Sequence, residues 1–139
     1  MTAGIAALFD AYKAAVWARD ADALLALYDP DIRVFDTWGT WSYEGIAAWG
    51  RSVRGWLGSL GEERVAVDVD DVGIIGGTDF ASASAGVTYA AITPDGTRLR
   101  SMQNRLSWAL ARRDGAWRIV HEHTSVPIGH QDLKGILQR

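Results

Sequence analysis

The sequence predicts an α+β fold in which helices lie on one face of a strongly curved, mainly antiparallel sheet. Two observations carry this prediction. Up to about residue 60 most apolar residues recur at three-and-four spacing, the period of a buried helix stripe, and from residue 62 they alternate with period two. The junctions between the later alternating runs, "GGTD", "TPDG" and "RRDG", have the Gly, Pro and Asp chemistry of turns that join antiparallel neighbours. Helices first and a meander of strands afterwards is an α+β order.

The elements follow in turn. Thr2 can cap a first helix whose positions Ile5, Leu8, Phe9, Tyr12 and Val16 form one buried stripe, so Tyr12 points inward. "ADALLALY" forms a short second helix capped by Asp20 or Asp22, and "DPD" at 29 to 31 ends it because Pro30 cannot continue the hydrogen-bond ladder. "IRVFD" alternates as a strand. After Gly45 a third helix carries Ile46, Trp49, Val53, Trp56, Leu57 and Leu60 on one side. "ERVAVDVDDVGII", "DFASASAGVTYAAI", "TRLRSMQNRLSWALAR" and "AWRIVHEHTSVPI" are then four long strands, and "GHQDLKGILQR" is a loose tail or a short helix that closes a pocket or meets a partner.

A chain of 139 residues without repeats or linkers is expected to form one domain, 1–139, with a real core. The net charge of −3 and pI near 5.5 give no electrostatic footprint for nucleic acid or an anionic membrane surface. No apolar run approaches the roughly 18 residues of a membrane helix. "MTAGIAALFDAY" lacks the features of a signal peptide, so the expected location is the cytoplasm. The absence of cysteine excludes disulfides, thiolate metal sites and a Cys nucleophile. Seven Trp residues stand out, four of them (Trp38, Trp41, Trp49, Trp56) within 19 positions. Such rings suit wide cores, interfaces and pockets for flat ligands.

Several chemistries find no support. No Ser sits in a strand-to-helix elbow, and no Lys or helix follows Gly76-Gly77 to make a phosphate loop. His121 and His123 share a strand face as a metal pair does, but a site needs a third ligand, and no metal is expected. What remains is an inward-facing set on different elements. Tyr12 comes from the first helix, Asp36 from the end of the first strand, and Asn104 is the odd polar member of the strand face Met102, Asn104, Leu106, Trp108. On the last strand alternation sets Trp117, Ile119, His121, His123 and Ser125 against Arg118, Val120, Glu122 and Thr124, and which face meets the helices stays open.

Three stretches, "RDADALLALYDPDIRVFD", "YEGIAAW" and "RRDGAWRIVHEHTSVP", resemble the nuclear transport factor 2-like superfamily, which includes ketosteroid isomerases, SnoaL-like polyketide cyclases and limonene epoxide hydrolase. The resemblance implies a cone-shaped fold of three helices on a curved sheet. Tyr12 precedes Asp36 by 24 residues, and Asp36 precedes Gly45 by 9, spacings similar to the oxyanion-binding Tyr, base Asp and Gly of ketosteroid isomerases. The resemblance then makes Asp36 a base and Tyr12 an oxyanion donor. Asn104 stands near the position of the second donor, an Asp in that family, which is a departure.

The chemistry is consistent by itself. Proton transfer α to a carbonyl needs a base over a C–H and donors where the oxygen gathers charge. Phe35, Trp38 and Trp41 around Asp36 are expected to strip its water and raise its pKa. An Asp base with a Tyr donor and a protonated Asp donor is the established arrangement of ketosteroid isomerase. Trp38, Trp41, Trp56, Tyr89, Trp108, Glu122, His121 and His123 are candidate substrate contacts. The expected protein is a cofactor-independent, homodimeric isomerase or cyclase acting on an apolar carbonyl compound. Two other readings stay open. One is a non-catalytic ligand-binding or oligomerisation module. The other is a hydratase, dehydratase or epoxide hydrolase, which needs Glu122 or His121 in the same cavity.

Overall fold

The computed structural model describes residues 2–139, the side chain of Thr2 excepted, so the expected Thr2 cap lies outside the described residues. The elements run α1 (Thr2–Ala18), α2 (Ala21–Leu25), β1 (Tyr28–Phe35), β2 (Tyr43–Glu44), α3 (Ile46–Gly58), β3 (Arg64–Gly76), β4 (Phe80–Ile92), β5 (Arg98–Arg113) and β6 (Ala116–Ser125). The strands form one sheet of order β2-β1-β6-β5-β4-β3. Every neighbouring pair is antiparallel except β1 with β6, which lets the strand between the helices close against the last strand of the meander.

The helices pack on one face of this sheet. Ile5, Leu8, Phe9, Tyr12 and Val16 of α1 and Trp49, Val53 and Leu57 of α3 are buried against Ile32, Val34, Val65, Val67, Leu106 and Trp108. The stripe on each helix is thus the stripe that the spacing predicts. Asp20 caps α2 through its carboxylate, which accepts from Ala23 N–H at 3.0 Å. Among the described residues no helix is long and apolar enough to cross a membrane.

Three features differ from the sequence expectation. β1 begins at Tyr28 rather than after Pro30, and Pro30 is tolerated within it because the β1–β6 register is irregular between Tyr28 and Arg33, so no ladder bond is lost there. The tail forms no helix. It bridges Ile128 to Gly135 and then runs beside β5, where Gln103 N–H donates to the Leu137 carbonyl at 2.7 Å. Finally, β6 carries one extra residue, because Leu110 pairs with Ile119 but Ala109 pairs with His121. That bulge at Val120 shifts the phase of the strand. Trp117, Ile119, Glu122 and Thr124 are all buried on the inner face as a result.

The hairpin from β5 to β6 turns through Asp114 and Gly115, both at positive φ (52° and 80°), the type I′ geometry that favours Asp-Gly. Gly115→Ala places a side chain in that left-handed conformation. A loss on the order of 1 kcal/mol in urea unfolding is expected.

Candidate active site

Between the inner sheet face, α1, α3 and the 36–42 loop lies a cavity of about 690 Å³. Its wall is mainly apolar, with Leu24, Trp49, Val53, Trp56, Val65 and Met102, and a few polar groups converge on it, as ligand sites do. Tyr12, Asp36, Asn104, Tyr89, Trp38, Trp56 and Glu122 all line this one cavity. The elements that bring them there are α1, the end of β1, the loop after it, α3 and the inner faces of β4, β5 and β6.

Asp36 follows the last residue of β1 and is half-buried. Its Oδ1 accepts from the Thr124 hydroxyl at 3.1 Å and its Oδ2 from the Trp38 backbone N–H at 3.4 Å. Thr124 Oγ1 itself accepts from the Thr37 N–H at 2.9 Å and the Thr37 hydroxyl at 3.0 Å. With both lone pairs occupied, its single proton is committed to Asp36, which fixes the carboxylate. Burial raises the pKa of Asp36, with the bonds from Thr124, Trp38 and Thr37 acting in the opposite direction.

The Tyr12 hydroxyl lies 3.0 Å from that of Tyr89. Burial, before any other cause, drives both phenols above their ordinary pKa, so both keep their protons. The Asn104 amide faces Tyr89 and acts against that rise. Its Oδ1 is buried and has no hydrogen-bond partner among the described residues.

Glu122 is only 2% exposed. The Tyr28 hydroxyl donates to its Oε1 at 2.6 Å, and the Trp108 indole N–H donates to the same oxygen at 2.9 Å. Burial pushes its pKa up to about 7, aided by the charge of Asp36 and opposed by the bonds from Tyr28 and Trp108. The cavity therefore holds two carboxyl groups of raised pKa, carried on neighbouring inward positions: Glu122 directly, and Asp36 through Thr124.

Four expected substrate contacts are corrected by these positions. His121 and His123 lie on the outer face, edge-on to Phe35 at ring distances of 4.9 and 5.5 Å, because the Val120 bulge turns them away from the cavity. His121 Nδ1 is 2.7 Å from the Arg33 carbonyl oxygen, and among the described residues no cluster of three His, Cys, Asp or Glu side chains is placed to hold a metal. Trp41 is 95% exposed, in the irregular segment between β1 and β2, and does not line the cavity. Trp108 is 1% exposed and does not reach the wall. It stacks on Phe9 at 4.4 Å and serves the site through its bond to Glu122.

The shell that dries Asp36 is also different, since Phe35 stands on the outer face with His121 and His123, leaving Trp38 (55% exposed) at the mouth. Tyr28, Tyr43, Thr124 and Leu137 are wall residues that the sequence did not single out, and Trp49, one of the four clustered Trp residues, joins them. For Thr124 a signal existed, as it alternates in phase with Glu122.

A SnoaL-like domain family matches residues 5–129. No curated protein matches the chain. Among solved structures, an NTF2-like protein of unknown function from Pseudomonas putida has 21% identity and a TM-score of 0.84, over 97% of this chain and 92% of that one. Aln2 from a Streptomyces species has 13% identity and a TM-score of 0.78, over 89% and 88%. An NTF2-like protein with a cystatin-like fold from Novosphingobium aromaticivorans has 21% identity and a TM-score of 0.77, over 95% and 85%. These likenesses establish the fold, and the family match spans nearly the whole chain. The chain belongs to the SnoaL-like domain family and has the nuclear transport factor 2-like fold.

Proposed function

We propose that the protein is a cofactor-independent enzyme that moves a proton α to the carbonyl of a flat, apolar substrate, in an isomerisation or cyclisation. The observation that supports this reading is the convergence of Asp36, Tyr12 and Asn104 on one cavity of about 690 Å³, large enough for a fused-ring ligand. A scaffold of the same fold can fill that space with its Trp side chains; here Trp41 and Trp108 lie outside it.

Asp36 is the base. Its bonds to Thr124 and Trp38 hold it in place, and the loss of water raises its basicity. Tyr12 and Asn104 are the donors to the substrate oxygen. If Tyr89 donates to Tyr12, the Tyr12 proton is left for the ligand, and a neutral phenol gives it up to a hydrogen bond without losing it.

The test is hydrogen–deuterium exchange at the α-carbon of α-tetralone in D₂O, followed by NMR. The wild-type protein accelerates exchange over buffer. Tyr12→Phe slows it by a factor on the order of 10² to 10³, the scale of one oxyanion donor. An unchanged rate removes Tyr12 from the mechanism, and no acceleration by the wild type overturns the reading.

A further inference from the structure

A second crevice, of about 370 Å³, lies where the start of α1 meets the β5–β6 hairpin. Gly4, Ala7 and Leu8 of α1 form one wall, and Arg112, Ala116 and Trp117 of the hairpin form the other. It shares no lining residue with the main cavity, and the proton transfer just described makes no use of it. Two buried donors here have no hydrogen-bond partner among the described residues, Arg112 Nε and Trp117 Nε1. Trp117 is 7% exposed, and the indole edge that carries Nε1 faces Gly4 across the crevice: a Cβ placed on Gly4 lies 3.0 Å from Trp117 Cδ1 and 3.4 Å from Nε1. Buried N–H groups are almost always paired, because an unmade bond forfeits their hydration.

The surroundings of these donors call for an anion. Arg112 and Trp117 are cross-strand partners, and the guanidinium lies over the indole ring, 5.0 Å from its centroid. That contact uses the flat face of the guanidinium and leaves the N–H groups in its plane to bond elsewhere. Among the described residues Arg112 forms no ion pair, and no carboxylate lines the crevice. The first turn of α1 has no acidic residue either, so the partial positive charge of that helix end is not offset by its own side chains.

We propose that this crevice is a binding site, separate from the main cavity, for an organic carboxylate that carries a short acyl chain. The carboxylate accepts from the two donors left without partners, Arg112 Nε–H and Trp117 Nε1–H, and neutralises the guanidinium. Ala7, Leu8 and Ala116 supply apolar surface for the chain. Inorganic phosphate has no apolar part to set against those walls, which favours the carboxylate among oxyanions.

The test follows the indole N–H signals of the whole chain by proton–nitrogen correlation NMR during titration with sodium hexanoate, the Trp117 signal being identified by sequential assignment. A saturable displacement of that signal is expected, with a Kd on the order of 1 mM, the range open to so small a ligand. Hexanamide, of the same shape without the charge, binds at least about tenfold more weakly. Arg112→Gln weakens hexanoate binding at Trp117 by a similar factor, at least about tenfold, and leaves α-tetralone exchange unchanged, since Arg112 does not line the main cavity. The comparison of hexanoate with hexanamide needs no variant, so it decides the matter even where Arg112→Gln does not fold. A Trp117 signal that hexanoate leaves in place, an equal response to hexanamide, or undiminished binding in a folded Arg112→Gln overturns the site. Inorganic phosphate that displaces the signal as tightly as hexanoate overturns the assignment to carboxylates.

Discussion

Asp36→Asn lowers α-proton exchange by a factor on the order of 10⁴, the upper end for a positioned general base. The effect is large because the other acidic and phenolic groups on the wall are engaged elsewhere, Glu63 in an ion pair with Arg100 at 2.9 Å. Glu122 is placed to hold a proton near neutrality and is fixed by Tyr28 and Trp108, and the phenols of Tyr12 and Tyr89 are driven further from ionisation by burial. The replacement is gentle on the fold. Asn keeps an oxygen for the Thr124 hydroxyl, and its amide nitrogen displaces only the 3.4 Å bond from the Trp38 N–H. Folding and α-tetralone binding, read by urea unfolding and by quenching of tryptophan fluorescence, are therefore expected to stay close to wild type. Exchange that persists in Asp36→Asn contradicts the assignment of the base.

The second large effect is on stability. Burial raises the pKa of Glu122 from an ordinary 4.5 to about 7, so the folded protein binds its proton more tightly than the unfolded chain does. Between those two values folding takes up a proton, and stability falls as pH rises through the window. Above about 7 the loss levels off, at roughly 3 kcal/mol for a shift of this size. Glu122→Gln keeps an oxygen to accept from Tyr28 and Trp108 but has no charge to bury. Relative to wild type, the variant is expected to gain up to about 3 kcal/mol in urea unfolding between pH 4.5 and pH 8. A difference in stability that is the same at both pH values shows that Glu122 is not held protonated by its surroundings.

The period of the sequence carried the two long helices and the four long strands because each buries one continuous stripe or one face. Asn104 was legible for the same reason, since β5 keeps its alternation through Met102, Leu106 and Trp108. On β6 the inference failed at a single residue. The bulge at Val120 exchanges the two faces midway, and neither Gly nor Pro marks it in the sequence. That one insertion sends His121 and His123 outward and sets Glu122 and Thr124 in line with Ile119. The partners of Glu122 were hidden for another reason. Tyr28 is 94 residues away and meets it only through the parallel pairing of β1 with β6, a contact that periodicity does not encode. Trp41 shows the opposite error: an aromatic side chain near a candidate base suggests a wall, but it lies in an irregular segment, where no periodicity fixes which way a side chain points, and it is 95% exposed.

The most direct measurement of the role given to Asp36 is the stereochemistry of exchange at the α-carbon of α-tetralone. One base held on one wall of the cavity by Thr124 meets only one face of the ring. Deuterium is expected at one of the two prochiral positions, at a rate that vanishes in Asp36→Asn. Equal incorporation at both positions, or a rate that matches buffer, contradicts a positioned carboxylate base in this cavity.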